Sequence, residues 1–366
     1  MTQGSVAASE ATAPVRAPVV RGVRILLGTF FVLVLVDLVL RLMTPHLIEW
    51  ETRSFEPKQS GFLNREEAGI VLLGSSRAAF GLSPPQFEEA LGRPVFNLAI
   101  PAFETAEWLA LCRDLLEDRR PELVVLGINA GELHGGYEPR EAATFLYRFP
   151  EVLQYTMSEG FNRRVWSRYL DAAFGRTWVL YGRRYSLKLM ISEQLGHIHE
   201  RFATEAKLVR LRNSRRQAAD GFDHPWFTEN HSAALPARRA AGLIDGRLDA
   251  PAFQADGYAF KNLSKVLRWF ADREIPIVVV YLPNSPWTQQ HWQDVEATMI
   301  DRIAQVCRSE DVAFVSSVCE VSDDDFFDEN HLSLEAARRF SASAAAKIAR
   351  LGLLPTDFIA SVGEPE

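Results

Sequence analysis

The chain has little cysteine, no basic excess and no repeated segment, and each shortage removes a class of function. Three cysteines in 366 residues, Cys112, Cys307 and Cys319, show neither CxxC nor zinc-ligand spacing. That excludes a disulfide framework and a cysteine-based metal site. Cys112 falls in an apolar helical pattern and reads as a small core residue, while a Cys307–Cys319 bridge is allowed but not required. Eight histidines include no second one with ligand spacing, so no metal or cofactor is expected. A formal net charge of -7 gives no reason to expect a nucleic-acid partner. Without an internal repeat, the chain reads as one elaborated globular domain or two, with 47% hydrophobic residues for a large core.

The charge that is present is unevenly placed. Between Phe161 and Arg216 stand 13 Lys and Arg against four acidic residues, a local +9 that leaves -16 for the remainder. Such a segment suits anionic phospholipid, an acidic polymer or a partner's acidic surface, or is simply a solvated helical face.

Long apolar runs are also scarce: one stands out, Val23 to Met43, VRILLGTFFVLVLVDLVLRLM. Its 12 residues from Ile25 to Val36 carry no charge, and about 20 mostly apolar residues cross a bilayer. Arg24 and Arg41 can snorkel to the two interfaces. Asp37 is costly there unless it reaches headgroups or a partner helix. No small-x-small cleavage site follows, which favours an uncleaved anchor over a signal peptide. Arg16, Arg21 and Arg24 precede the run, so the positive-inside rule predicts a cytoplasmic N-terminus. The expected layout is a disordered cytoplasmic tail (1–22), a single-pass anchor in the cytoplasmic membrane (23–43), an extracytoplasmic or periplasmic domain (44–354) and a short tail (355–366).

Within that domain five β-branched apolar runs read as buried parallel strands: Gly69–Leu73, Pro94–Ala99, Glu122–Gly127, Ile275–Leu282 and Val312–Ser316. Helical patterns lie between and after them, at Pro84–Leu91 with Ser83 as N-cap, Glu104–Glu117, Leu263–Ala271, Gln290–Cys307 and Ser333–Leu351. Alternation of this kind predicts right-handed βαβ units and a five-stranded parallel sheet covered on both faces, an α/β fold of three α/β/α layers. Residues 140–256 are too long for a loop and read as a basic, aromatic helical insertion.

Polar residues gather just beyond the strand-like runs. Ser76, in Gly74-Ser75-Ser76-Arg77, follows the first; in doubly wound sheets ligands collect outside the carboxyl ends of strands. His331 offers a base titrating near neutrality, and Asp328, three residues earlier, can fix its tautomer. Asn129, in Gly127-Ile128-Asn129, can aim its amide at an oxyanion, completed by the backbone N–H groups of Ser76 and Ala99. Each also has a plain alternative: Gly-Ser-Ser as a turn, Asn129 as an Asx-turn closing a strand, Asp328 as a turn cap. Glu132, His134, Asn284, Trp287 and Trp292 are further polar or aromatic residues after strands, the tryptophans reading as core filling or a sugar platform.

In order, Gly-x-Ser, Asn97-Leu98-Ala99, Gly-x-Asn and Asp328-Glu329-Asn330-His331 resemble the four blocks of the SGNH (GDSL-type) hydrolase superfamily, over about residues 69 to 351 outside the insertion. The resemblance implies a flavodoxin-like sheet, Ser76 as nucleophile, Asp328 and His331 completing a triad, and Asn129 with the Ala99 amide as oxyanion hole. It departs at three positions: Ser75 stands where the family has Asp, Ala99 where it has Gly, and Ala130 follows Asn129 where Asp is usual. With the anchor, the chain is similar to the branch that O-acylates cell-envelope polymers. That implies an envelope or exported polysaccharide as substrate and a multispanning membrane O-acyltransferase as partner. The competing expectation is a non-catalytic scaffold on the same fold.

Overall fold

The computed structural model describes residues 16–42, 55–64, 69–133 except 102, 149–182 with 184, 187 and 191, and 257–354 except 317. The tail before residue 16, most of the 140–256 insertion, the basic residues beyond 191, His134 and the tail from 355 lie outside the described residues.

In chain order the elements are α1 (Arg16–Leu42), α2 (Phe55–Leu63), β1 (Ile70–Gly74), α3 (Ser76–Gly81), α4 (Pro84–Leu91), β2 (Val95–Asn97), α5 (Thr105–Leu115) and β3 (Leu123–Ile128). There follow α6 (Phe149–Glu159), α7 (Arg163–Thr177), α8 (Val179–Gly182), α9 (Tyr258–Ala271), β4 (Ile277–Tyr281), α10 (Pro286–Ser309), β5 (Ala313–Val315) and α11 (Leu334–Ala349). All five expected strands are present, with their ends shifted by one or two residues.

The strands form one parallel sheet in the order β2-β1-β3-β4-β5. Successive side chains alternate between its faces, and both faces are apolar because both are covered. Val71, Leu73, Val124, Leu126 and Val279 pack under α5, α9 and α10; Ile70, Leu72, Val125, Val278 and Val280 pack under α3, α4 and α11. This double burial is why the strands read as unbroken apolar runs rather than alternating ones. The chain leaves β1 outward to β2, then returns across β1 to β3, so the crossover reverses between β1 and β3. The carboxyl ends of those two strands are the switch point where ligands collect in such sheets.

Two local expectations are revised. The helix containing the apolar run begins at Arg16, so Arg16 to Gly22 extend it instead of belonging to a disordered tail. Ser83 precedes α4 but does not cap it with its side chain; its hydroxyl donates to Gln86 Oε1. Cys112, Cys307 and Cys319 are all free thiols, the first two buried and the third exposed, so no Cys307–Cys319 bridge forms.

Val23–Leu42 is long and apolar enough to cross a membrane, and its side chains are mostly exposed along that length.

Candidate functional site

Backbone geometry presents Ser76. Gly74, at the end of β1, has φ +143°, and a Cβ there would lie 2.4 Å from Ala78 Cβ and 2.5 Å from the Gly127 carbonyl oxygen. Only glycine fits both the conformation and the space. The chain then enters α3 directly: Ser75 is its N-cap, accepting from Arg77 N at 3.2 Å, and Ser76 is the first helical residue. Asn97 at the end of β2 holds this helix from behind. Its Nδ2 donates to the carbonyls of Ala78, Ala79 and Leu82 at 3.3, 3.3 and 2.9 Å.

His331 arrives from the loop before α11. Its Nε2 lies 2.9 Å from Ser76 Oγ, and its Nδ1 lies 3.0 and 2.9 Å from the two Asp328 oxygens. Asp328 Oδ1 also accepts the backbone N–H groups of Asn330 and His331 at 2.8 and 2.7 Å. Burial raises the Asp328 carboxyl, but its bond to His331, the imidazole charge and those amides together hold it below its ordinary range. An ionised carboxylate only accepts, so Nδ1 carries the ring proton and Nε2 is left to accept from Ser76. The ring is fixed by Phe327, stacked at 5.5 Å, and Phe80, edge-on at 5.4 Å. Thr288 Oγ1 holds the loop by donating to the Glu329 carbonyl at 3.0 Å. Ser76, His331 and Asp328, 255 residues apart at the extremes of that chain of contacts, thus form a hydrogen-bonded relay at the switch-point edge.

Two of the three expected oxyanion donors, the Asn129 amide and the Ala99 N–H, already have partners. Asn129 is fully buried. Its amide donates to the Leu282 carbonyl at 2.6 Å and to Asn284 Oδ1 at 3.2 Å, while its Oδ1 accepts from Gly131 N at 2.8 Å. The Oδ1 bond is the Asx-turn role, and both amide hydrogens are spent on tying the end of β3 to the segment after β4. The Ala99 N–H donates to Asn97 Oδ1 at 3.0 Å. In this conformation the Asn129 amide joins the ends of β3 and β4 and the Ala99 N–H closes its own turn, so either would have to leave its partner to meet an oxyanion. The Ser76 N–H, in the first turn of α3, is one of the donors for which a helix has no internal acceptor.

Around the relay lies a polar network that residue-by-residue reading left largely unassigned. Arg77 donates to Asn284 Oδ1 and, at 2.5 Å, to Asn330 Oδ1, tying the helix of the serine to the loop of the histidine. Asn284 Nδ2 donates to Glu296 Oε1 at 2.8 Å, which also accepts from the Tyr281 hydroxyl at 2.5 Å. The Ser75 hydroxyl donates to Glu132 Oε1, and Glu132 Oε2 accepts from Asn129 N at 3.1 Å. Desolvation by burial pushes the Glu132 carboxyl up to about 7 against the pull of Arg77, Ser75 and the Asn129 amide. A carboxyl group therefore stands beside Ser75 although position 75 itself is not acidic. Lys58 of α2, partly buried, donates to the Ala99 carbonyl, and desolvation lowers its ammonium to about 7. Arg77 stands in the Gly-Ser-Ser-Arg segment and Lys58 in no motif, but neither role had a local signal, because their partners are remote in sequence.

Trp287 and Trp292 are buried to 6% and 7% exposure, so both fill the core and neither offers a free sugar platform. A cavity of about 590 Å³ opens at the ends of β4 and β5, with Tyr281, Glu296, Val318 and Glu320 in its wall; none of the relay residues lines it. Among the described residues no three His, Cys, Asp or Glu side chains are grouped to hold a metal ion. Compared with known proteins, the chain matches no family model and no curated sequence.

Proposed function

We propose that this chain is a membrane-anchored, extracytoplasmic serine acyl-transfer enzyme of SGNH type, an O-acetyltransferase or acetylesterase acting on an envelope or exported polysaccharide. The observation that carries the reading is the Ser76–His331–Asp328 relay, with 2.9 Å at each of its two joints. Nucleophile, base and orienting carboxylate within hydrogen-bond reach are the requirement for covalent catalysis by a serine.

In the proposed reaction, Ser76 Oγ attacks an ester carbonyl as its proton passes to His331 Nε2. Asp328 stabilises the imidazolium through Nδ1. The ester C–O bond breaks as the leaving alkoxide takes the proton from Nε2, and the acyl group stays on Ser76. A sugar hydroxyl or water then gives its proton to Nε2 and attacks the acyl-serine, and the acyl–Oγ bond breaks as Nε2 returns that proton to Ser76 Oγ, releasing product. Both outcomes use the same residues. The anchor supports an envelope location, and the positive flank of its N-terminal side supports a cytoplasmic N-terminus. A multispanning O-acyltransferase is the proposed partner by resemblance.

The engagement of Asn129 and Ala99 favours a second reading, a scaffold that keeps the fold and binds polysaccharide or a membrane acyltransferase without turnover. Labelling of the full chain by a serine-directed fluorophosphonate separates the two. Labelling that is lost in Ser76→Ala and kept in Ser75→Ala is expected of the enzyme; an unlabelled wild-type chain leaves the scaffold.

A further inference from the structure

Asp37 lies inside the apolar span, yet it is only 7% exposed while Val36 and Leu38 on either side are 38% and 55% exposed. What covers it is the insertion. The Leu180 N–H, in α8, donates to Asp37 Oδ1 at 2.8 Å, and Arg41 Nε donates to Oδ2 at 2.9 Å. Arg41 in turn donates to the Thr177 carbonyl at the end of α7. The α7–α8 turn is thereby clamped to α1. It is compact because Gly175 and Gly182 pack backbone to backbone: a Cβ on Gly182 would lie 2.4 Å from the Gly175 oxygen.

The clamp sets a depth. Asp37 is five residues and Leu33 nine residues before Leu42, which at 1.5 Å per residue places them about 7 and 14 Å inside that end of the span. Leu33 forms one wall of an apolar groove of about 580 Å³, whose other side is built by Phe174, Trp178, Leu187 and Ile191. Arg184, which also lines the groove, is already compensated: its guanidinium lies 4.0 Å over the Tyr181 ring and 3.4 Å from Asp171. On α7, Leu170 and Phe174 share a face one turn apart, 59% and 48% exposed. Large apolar side chains left exposed beside a membrane span are at home in hydrocarbon, not water.

We propose that the α7–α8 turn is a wedge inserted into the leaflet nearest Leu42, and that a phospholipid acyl chain fills the groove between α1 and α7–α8. Whatever fills a groove walled by the middle of a span must be what surrounds the span, and the other flanks of α1 (Phe30, Phe31, Val34) are equally exposed. The wedge supplies the hydrogen-bond partners that make an intramembrane carboxylate tolerable. It also fixes the folded domain to the bilayer at a second point, besides the segment that joins α1 to the domain. The wedge is independent of the chemistry at Ser76.

The test uses the full chain in phosphatidylcholine vesicles, with Cys319→Ser removing the one exposed thiol. Bimane is attached at Phe174→Cys, at Leu170→Cys, at Leu33→Cys as an intramembrane control, and at Glu335→Cys, 88% exposed on α11, as an aqueous control. Vesicles with brominated acyl chains should quench more than half of the emission at Phe174→Cys and Leu170→Cys, approaching Leu33→Cys, and leave Glu335→Cys unchanged. Leu170→Cys lies on an exposed position and reads the same face should Phe174→Cys fail to fold. Quenching at both sites no greater than at Glu335→Cys overturns the proposal, whether water, a second copy or another segment occupies the groove.

Discussion

The sheet edge that carries Ser76 and the insertion that clamps α1 bury polar groups in opposite ways. At the sheet edge Asn129, Asn284, Glu296 and Glu132 are all buried, and each bonds to partners from other segments of chain. The network has no apolar medium to rely on; it is satisfied internally, which is what holds a relay to hydrogen-bond tolerance. Where the insertion meets α1, one carboxyl group, Asp37 of α1, is satisfied by two donors, and the surrounding surface is apolar and exposed. One region is complete in itself, while the other is complete only with the medium around it. The contrast teaches that precision at the relay comes from polar closure, whereas the proposed attachment at the membrane draws on apolar exposure.

The strongest way to break the comparison is at the relay. His331→Ala should lower hydrolysis of an aryl acetate by roughly 10³-fold or more, because Ser76 loses its base. Retention of wild-type turnover would remove His331 from the chemistry and leave the network as a purely structural device.

Glu132 sharpens the comparison through pH. Its carboxyl is raised from 4.5 to about 7 in the folded chain, so the folded state holds the proton more tightly than the unfolded one. Stability is therefore highest below about pH 4.5, declines as pH rises toward about 7, and stays at the lower level above it. The full effect is on the order of 3 kcal/mol. Glu132→Gln keeps an acceptor for the Asn129 amide and should abolish this decline. Thermal unfolding of both proteins on each side of that window checks it, and parallel pH profiles would contradict the assignment.

A smaller effect is expected at Asn129. Asn129→Ala leaves the Leu282 carbonyl and the Gly131 N–H without their partners and should cost about 1–3 kcal/mol of stability. Because its donors are already spent, the loss should show first in unfolding, and any turnover by the remaining folded protein should fall less than at His331→Ala. Turnover lost at unchanged stability would instead mean that the Asn129 amide leaves Leu282 to meet the oxyanion during reaction.

The smallest effect belongs to the apolar helix α1. Asp37→Ala removes the acceptor for Leu180 and Arg41 and should weaken the clamp by about 1 kcal/mol, the scale of polar contacts between membrane helices. Faster proteolysis within residues 174–184 in vesicles is the expected readout, with relay activity unchanged. An unaltered cleavage rate would show that apolar contact alone seats α8.

Much of this molecule was legible as pattern. Each of the five strands is an apolar run with β-branched residues, because β1 to β4 are buried on both faces and the edge strand β5 is partly so. The helices between them show their period, and Val23–Leu42 announces its length and apolarity without help. Ser76 and the Asp328-x-x-His331 pair were legible as well, since a strand end and a spacing of three are local facts. Partnerships between remote segments were not. That Asn129 spends its amide on Leu282, that Glu132 supplies a carboxyl beside Ser75, and that Arg77 joins Asn284 to Asn330 depend on which strand ends the sheet order brings together. Asp37 shows the same division within one residue. Its cost in a membrane followed from its charge and position, and Arg41 is a local partner one turn on, but only the tertiary structure supplied the second, because the Leu180 N–H lies 143 residues away and has no side-chain signature.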